Sequence, residues 1–255
     1  MFVRNLLIAV IVGITPVSGA YAGGGEGPAI PSQDWSFSGP FGTYDKGAMQ
    51  RGYKIYREVC ASCHSMKRIY FRNLEALGYN EAQIKNIASE YTVEDGPNDE
   101  GDMFERSALP SDRFVSPFAN DAAAKYANGG AFPPDLSLIT KARANGPNYV
   151  YALLTGYEDH APHGEELADG QYWNTYFPGH KLSMAPPLMD GQVSYEDGSA
   201  ETLNQYGHDM VQFLSWAADP YMEERKETGL KVILFLIVFA GVMYAVKRKI
   251  WADVH

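Results

Sequence analysis

The stretch REVCASCHSMK, residues 57–67, holds both cysteines of this 255-residue chain, Cys60 and Cys63, and His64 follows the second directly. Three chemistries use such a pair: a redox disulfide, half of a zinc site, or covalent haem attachment when a histidine comes next. Zinc needs two further good ligands, and without a second cysteine pair only His160 and His163 could supply them. A redox disulfide would be expected after a strand. The residues before Cys60 read instead as a helix over 45–62, with Met49, Tyr53, Tyr56, Val59 and Cys60 on one stripe and Asp45 able to cap its start. Haem attachment accounts for all three residues. Two thioethers would form from neighbouring positions of one helix face, carrying His64 under the iron as proximal ligand. That constrains the fold strongly, because a haem so attached becomes part of the core.

Electron carriers favour methionine as the sixth iron ligand, since it raises the potential. Of nine methionines, Met49 and Met210 fall on apolar helix faces and Met243 in an apolar run. Met184 lies in GHKLSMAPPLMDG, where Pro186 and Pro187 forbid helix and hold the chain extended as a rigid strap. Met189 and His180 compete for the role. Two filled axial positions imply electron transfer rather than oxygen chemistry.

The two ends locate the chain. Arg4, the apolar run Leu6 to Ile14 and Ala20-Tyr21-Ala22 read as a secretory signal peptide over 1–22. Val232 to Val246 carries no charge, Lys247, Arg248 and Lys249 follow at once, and Trp251 can sit at an interface. The expected organisation is an exported, periplasmic domain over 23–227, a membrane anchor over 228–247 and a cytoplasmic tail over 248–255, in a bacterial inner membrane. The 23–227 body has 16 basic and 30 acidic residues, a net charge of −14. Such a surface repels nucleic acid and attracts cationic partners. The acid concentrates in TVEDGPNDEGDMFE and YEDHAPHGEELADG.

Residues 23–43 are rich in Gly, Pro and Ser and read as extended. A second amphipathic helix is expected over 203–218, with Leu203, Tyr206, Met210, Phe213 or Leu214 and Ala217 on one face. PNYVYALLTGY reads as a short helix with Pro147 in its first turn. Segments 92–118 and 157–182 read as long irregular loops, and no strong strand alternation or internal repeat is present. The fold class expected is mostly α.

CASCHSM, ANGGAFPPDLSLITKARANGPNYVYALLTGY and MAPPL, followed by a C-terminal helix and a single anchor, closely resemble the cytochrome c1 family. The resemblance implies a cytochrome c-like domain whose first and last helices cross tightly, with Gly52 allowing the close approach. It implies one covalent haem c through Cys60 and Cys63, with His64 and Met184 as axial ligands. Arg143 would pair with a haem propionate, Tyr56 and Tyr149 would lie near the propionates, and Asn128, Pro133 and Pro134 would wall the haem. Some bacterial relatives staple the methionine strap with a disulfide; this chain has no spare cysteines, so packing must hold it.

The function implied is an electron relay with no catalytic residue of its own, within ubiquinol–cytochrome c reductase. It would take one electron from a Rieske iron–sulfur protein to a soluble or membrane-bound cytochrome c. Cytochrome b, membrane lipid and a dimeric complex are the further partners implied. Three alternatives remain: a tail-anchored carrier serving a terminal oxidase or nitric oxide reductase, a haem-based gas sensor or peroxidase, and a zinc-stapled binding domain.

Overall fold

The computed structural model describes residues 28–254. The expected signal peptide, 1–22, lies outside them. Six α-helices, three short 3-10 turns and two small antiparallel sheets make up the described regular structure, and long connections join them.

Helix α1, Lys46–Glu58, starts where Asp45 accepts a hydrogen bond from the Ala48 N–H at 3.0 Å. It buries Met49, Gly52, Tyr53, Ile55 and Tyr56, so the expected stripe is its core face. The helix ends sooner than its 45–62 pattern suggested. Val59 leaves helical geometry at φ −122°, and Cys60–Ser62 forms a tighter 3-10 turn. Both Cys63 N–H and His64 N–H donate to the Cys60 carbonyl, at 3.1 and 2.9 Å.

Helices α2 (Glu81–Ser89) and α3 (Asp121–Ala127) are capped by Asn80 and Asn120. Helix α4 (Gly146–Thr155) carries Pro147 in its first turn, as PNYVYALLTGY suggested. Helix α5 spans Leu203–Ala218 and is capped by Thr202. Its expected apolar face is buried from Tyr206 to Ala217, with Leu203 only half-buried, but so are Asp209, Gln212, Ser215 and Trp216, because neighbours cover α5 on several sides.

Helices α1 and α5 cross at Gly52. A Cβ there would lie 2.2 Å from the Asp209 carbonyl oxygen and 2.7 Å from Phe213 Cβ. Around the crossing, Tyr53, Tyr56, Phe71, Phe114 and Phe213 pack with ring centroids 5.0–5.9 Å apart. At its edge Arg51 grips the fully buried Asp209 with two hydrogen bonds, at 2.8 and 2.9 Å, and reaches Asp197 at 2.7 Å.

Part of 92–118 is a hairpin: β1 (Thr92–Asp95) pairs antiparallel with β2 (Phe104–Ser107), Thr92 opposite Ser107. Arg106 holds it by pairing with Asp95 and Asp112. Within 157–182, the two-residue strands β3 (Tyr172–Trp173) and β4 (Lys181–Leu182) also pair antiparallel.

Helix α6, Met222–Ile250, is the one described helix long and apolar enough to cross a membrane. It is continuous through the 227/228 boundary expected from sequence. Its first turns are bolted to the domain. Glu223 accepts from Tyr44 N–H at 2.7 Å, and Lys226 donates to the Phe37 and Gly42 carbonyls at 2.7 and 2.9 Å. Asp219 receives Lys141 at 2.8 Å and also Arg225. From Leu230 onward its side chains are exposed.

Gly52→Ala should destabilise the chain by about 3 kcal/mol, because backbone and a packed Phe213 must both move; urea unfolding of the haem-loaded chain in detergent measures this. Burial pushes the Asp209 carboxyl up, but the nearby His208 ring, hydrogen bonds from Arg51 and Gln205, and the Arg51 charge bring it below its ordinary 3.8. Its stabilisation is therefore complete above that value and lost as pH falls through the lower folded value. Acid unfolding of Asp209→Asn should show a shallower fall in stability below about pH 4 than wild type.

Candidate haem site

The 3-10 turn after α1 presents Cys60 and Cys63, both half-buried free thiols, with His64 one residue beyond. Burial pushes the Cys60 thiol up to about 12 and lowers His64, the latter only partly offset by the Pro134 carbonyl and the Asp135 charge. Depression of His64 favours the neutral imidazole that metals bind. Its Nδ1 lies 2.8 Å from the Pro134 carbonyl oxygen. A carbonyl only accepts, so Nδ1 carries the proton and Nε2 is left with its lone pair. Two thiols beside an imidazole of fixed tautomer fit a covalently attached haem. Among the described residues no group of three or more His, Cys, Asp or Glu side chains could hold a metal ion, so the zinc staple has no ligand set there.

Pro134 belongs to the strap that follows α3. The Leu136 N–H donates to Ser65 O at 2.8 Å, Lys67 N–H and Ser65 Oγ both donate to Asp135 at 2.8 Å, and Arg68 N–H donates to Ser137 Oγ at 3.1 Å. The strap is thus laced along the segment carrying His64. Pro133 is half-buried and Pro134 exposed. The buried Tyr56 hydroxyl donates to the His64 carbonyl at 3.2 Å. Asn128 ends α3, its side chain donating to Ala124 O at 2.7 Å. No described hydrogen bond joins Asn128 to the cysteine turn.

A second group forms around Met184. This half-buried residue follows β4, and its carbonyl accepts from the Tyr157 hydroxyl at 3.0 Å. Burial raises Tyr157, with the neighbouring Tyr149 adding to the effect. Burial also raises Tyr149, while the Arg143 charge lowers it. The Arg143 charge thus acts on Tyr149 and Tyr149 on Tyr157, whose hydroxyl holds the Met184 carbonyl. Arg143 is exposed, its guanidinium donating to the Ala142 carbonyl at 3.1 Å. Downstream, Leu188 is buried, and Asp190 accepts from Leu203 N–H at 2.6 Å. Of the competing ligands, Met189 is 64% exposed. His180 stacks on Trp173 at 4.8 Å, with Nδ1 3.2 Å from Asn174 O.

Tyr157 and Asp135 carry no sequence signal of these roles. Tyr157 ends LLTGY and Asp135 sits inside PPDLS, but only the folded chain shows what each holds.

A cysteine pair and histidine turned off the first helix of a mostly α domain, itself joined to an exposed apolar helix, define a membrane-anchored, single-pass c-type cytochrome. Residues 35–254 match the family model described as Cytochrome C1 family. The cytochrome c1 of Rhodospirillum rubrum is 47% identical over 267 residues, covering 99% of this chain and 98% of that protein. A Cytochrome b/c1 of Bradyrhizobium diazoefficiens is 52% identical over 246 residues; the match covers 88% of this chain but 36% of that longer relative. The mitochondrial cytochrome c1 heme protein of Saccharomyces cerevisiae is 42% identical over 229 residues, 90% of this chain and 74% of that protein. The chain belongs to the cytochrome c1 family. It is accordingly a haem c-containing electron-transfer subunit of the cytochrome bc1 type.

Replacing both cysteines, Cys60→Ala with Cys63→Ala, should abolish covalent haem. After denaturing electrophoresis, haem stain should stay with the wild-type band and be absent from the variant's.

Proposed function

We propose that this chain relays single electrons in a ubiquinol–cytochrome c reductase complex, from a Rieske iron–sulfur protein to a soluble or membrane-bound cytochrome c. The haem supplies a one-electron ferrous–ferric couple. The chain's residues attach, orient and enclose it. Cys60 and Cys63 are the attachment points, and His64 is the proximal ligand, turned by its bond to the Pro134 carbonyl. That bond is the observation carrying the reading, because it leaves Nε2 alone free to bind iron. Met184 is the distal ligand. Its backbone is fixed by Tyr157, whereas Met189 is exposed and His180 is committed to Trp173 and Asn174. Arg143 offers its exposed guanidinium beside Tyr149 to a propionate, the forked cation matching a carboxylate. Tyr56 supports the His64 carbonyl, and Asn128 and Pro133 complete the strap.

Glu94, Asp99, Glu100, Asp102 and Glu105 on the β1–β2 hairpin are exposed, as are Glu158, Asp159, Glu165, Glu166 and Asp169. These carboxylates steer a basic cytochrome c by long-range attraction, which salt screens. The haem domain, 23–227, lies in the periplasm after removal of 1–22. The anchor, 228–247, beds against cytochrome b and lipid in a dimeric complex. Lys247, Arg248 and Lys249 keep the tail, 248–255, in the cytoplasm.

The test is a reduced-minus-oxidised spectrum of the detergent-solubilised protein and its Met184→Leu variant, each with and without carbon monoxide. Wild type should be low-spin and indifferent to the gas. Met184→Leu should bind it or lose potential. A wild type that binds carbon monoxide readily would favour sensor or peroxidase chemistry. An unchanged variant would move the distal ligand to Met189 or His180.

A further inference from the structure

The haem-attachment segment and the 133–137 strap are held together largely through one carboxylate. Asp135 Oδ2 accepts from Ser65 Oγ and from Lys67 N–H, both at 2.8 Å. Its Oδ1 accepts from Ser137 N–H at 2.9 Å. Ser137 is fully buried and accepts in turn from Arg68 N–H at 3.1 Å. No neutral side chain reproduces this set: an amide has one acceptor oxygen, and its NH₂ would face a donor. On either side of Asp135, Pro134 O accepts from His64 and Leu136 N–H donates to Ser65 O. Asp135 thus sits at the centre of the lacing that sets how closely the Pro134 carbonyl approaches the His64 ring.

We propose that Asp135 is a positioning residue for the His64 side of the haem, clamping the strap so that the His64–Pro134 bond is short and holding the reduction potential down. This rests on the relay function above. Two effects act in the same direction. A firm Nδ1–H···O=C bond makes the imidazole a stronger donor, which favours the oxidised iron. The carboxylate's negative charge, borne one residue from Pro134, also favours the oxidised state, which has one more positive charge. Ser65 shares the work by supplying one of the clamp's donors.

The experiment is a redox titration of the assembled complex in detergent, followed at the c-type absorbance, with low-temperature EPR of the oxidised form. The variants are Asp135→Asn, Ser65→Ala and, as a control, Asp45→Ala. The control removes the cap of α1 at the far end of a 13-residue helix, so it weakens the fold without touching the clamp. The expected result is a higher midpoint potential and shifted ferric g-values in Asp135→Asn. Ser65→Ala should show a smaller shift of the same sign, and Asp45→Ala none. Asp135→Asn with full haem content and the wild-type midpoint and g-values would overturn the proposal. So would a control that shifts as far, since loosening of the fold would then suffice. If Asp135→Asn does not assemble, Ser65→Ala decides by the same criteria. A wild type lacking the low-spin c-type spectrum would sink the relay function and this proposal together. A normal wild-type spectrum with unmoved variants sinks the proposal alone.

Discussion

Everything in this domain hangs on the contact between α1 and α5 at Gly52. A methyl group there would sit inside the van der Waals shell of the Asp209 carbonyl, so only glycine lets the two helices meet at this depth. Helix α1 runs directly into the turn bearing Cys60 and Cys63. Helix α5 runs, through Asp219, into the anchor. One close crossing therefore fixes the haem-attachment turn relative to the membrane helix. The aromatic rings around it and the Arg51–Asp209 pair make that crossing difficult to shear. A buried ion pair is poor evidence of net stability, but it is costly to break and so discourages other registers.

The site itself comes from separated parts of the chain. The turn after α1 supplies the thiols and imidazole, the strap after α3 supplies the acceptor that orients the imidazole, and the proposed distal ligand, Met184, comes from the segment after β4. Each is tied down by hydrogen bonds to backbone groups. Tyr56 holds the His64 carbonyl, and Tyr157 holds that of Met184. This answers how an extended methionine strap stays put without a disulfide. The sequence pointed to packing. Leu188 does provide a buried peg, and the half-buried Tyr157 phenol adds a directed bond.

What could be read beforehand was whatever leaves a local trace. Cys60, Cys63 and His64 announce themselves by spacing. Helix 203–218 is written in its apolar period, whereas the role of Gly52 is legible only through the family resemblance. The end of α1 is not marked in the sequence, because Val59 and Cys60 continue the apolar stripe after the backbone has left the helix. The β1–β2 hairpin leaves little trace because its strands are four residues long and carry one large apolar residue each, Val93 and Phe104, too few for an apolar alternation to register. Pairings such as Arg51 with Asp209, or Asp135 with Lys67, join residues far apart in sequence. Nothing in periodicity records them; they exist only once the crossing has formed.

The way α6 leaves the domain has a mechanical consequence. Met222 to Leu230 is about 12 Å of polar helix, gripped by Tyr44, Lys226 and Asp219's partners before the apolar stretch begins. There is no flexible tether among these residues; the helix is a mast stepped into the domain's floor. The haem domain therefore cannot swing freely about its anchor, and its surface stands at a set height above the apolar stretch. It also inherits the lean of its mast. A bilayer whose thickness forces α6 to tilt carries the whole redox site sideways with it, so lipid composition becomes a variable in the distance an electron has to cross.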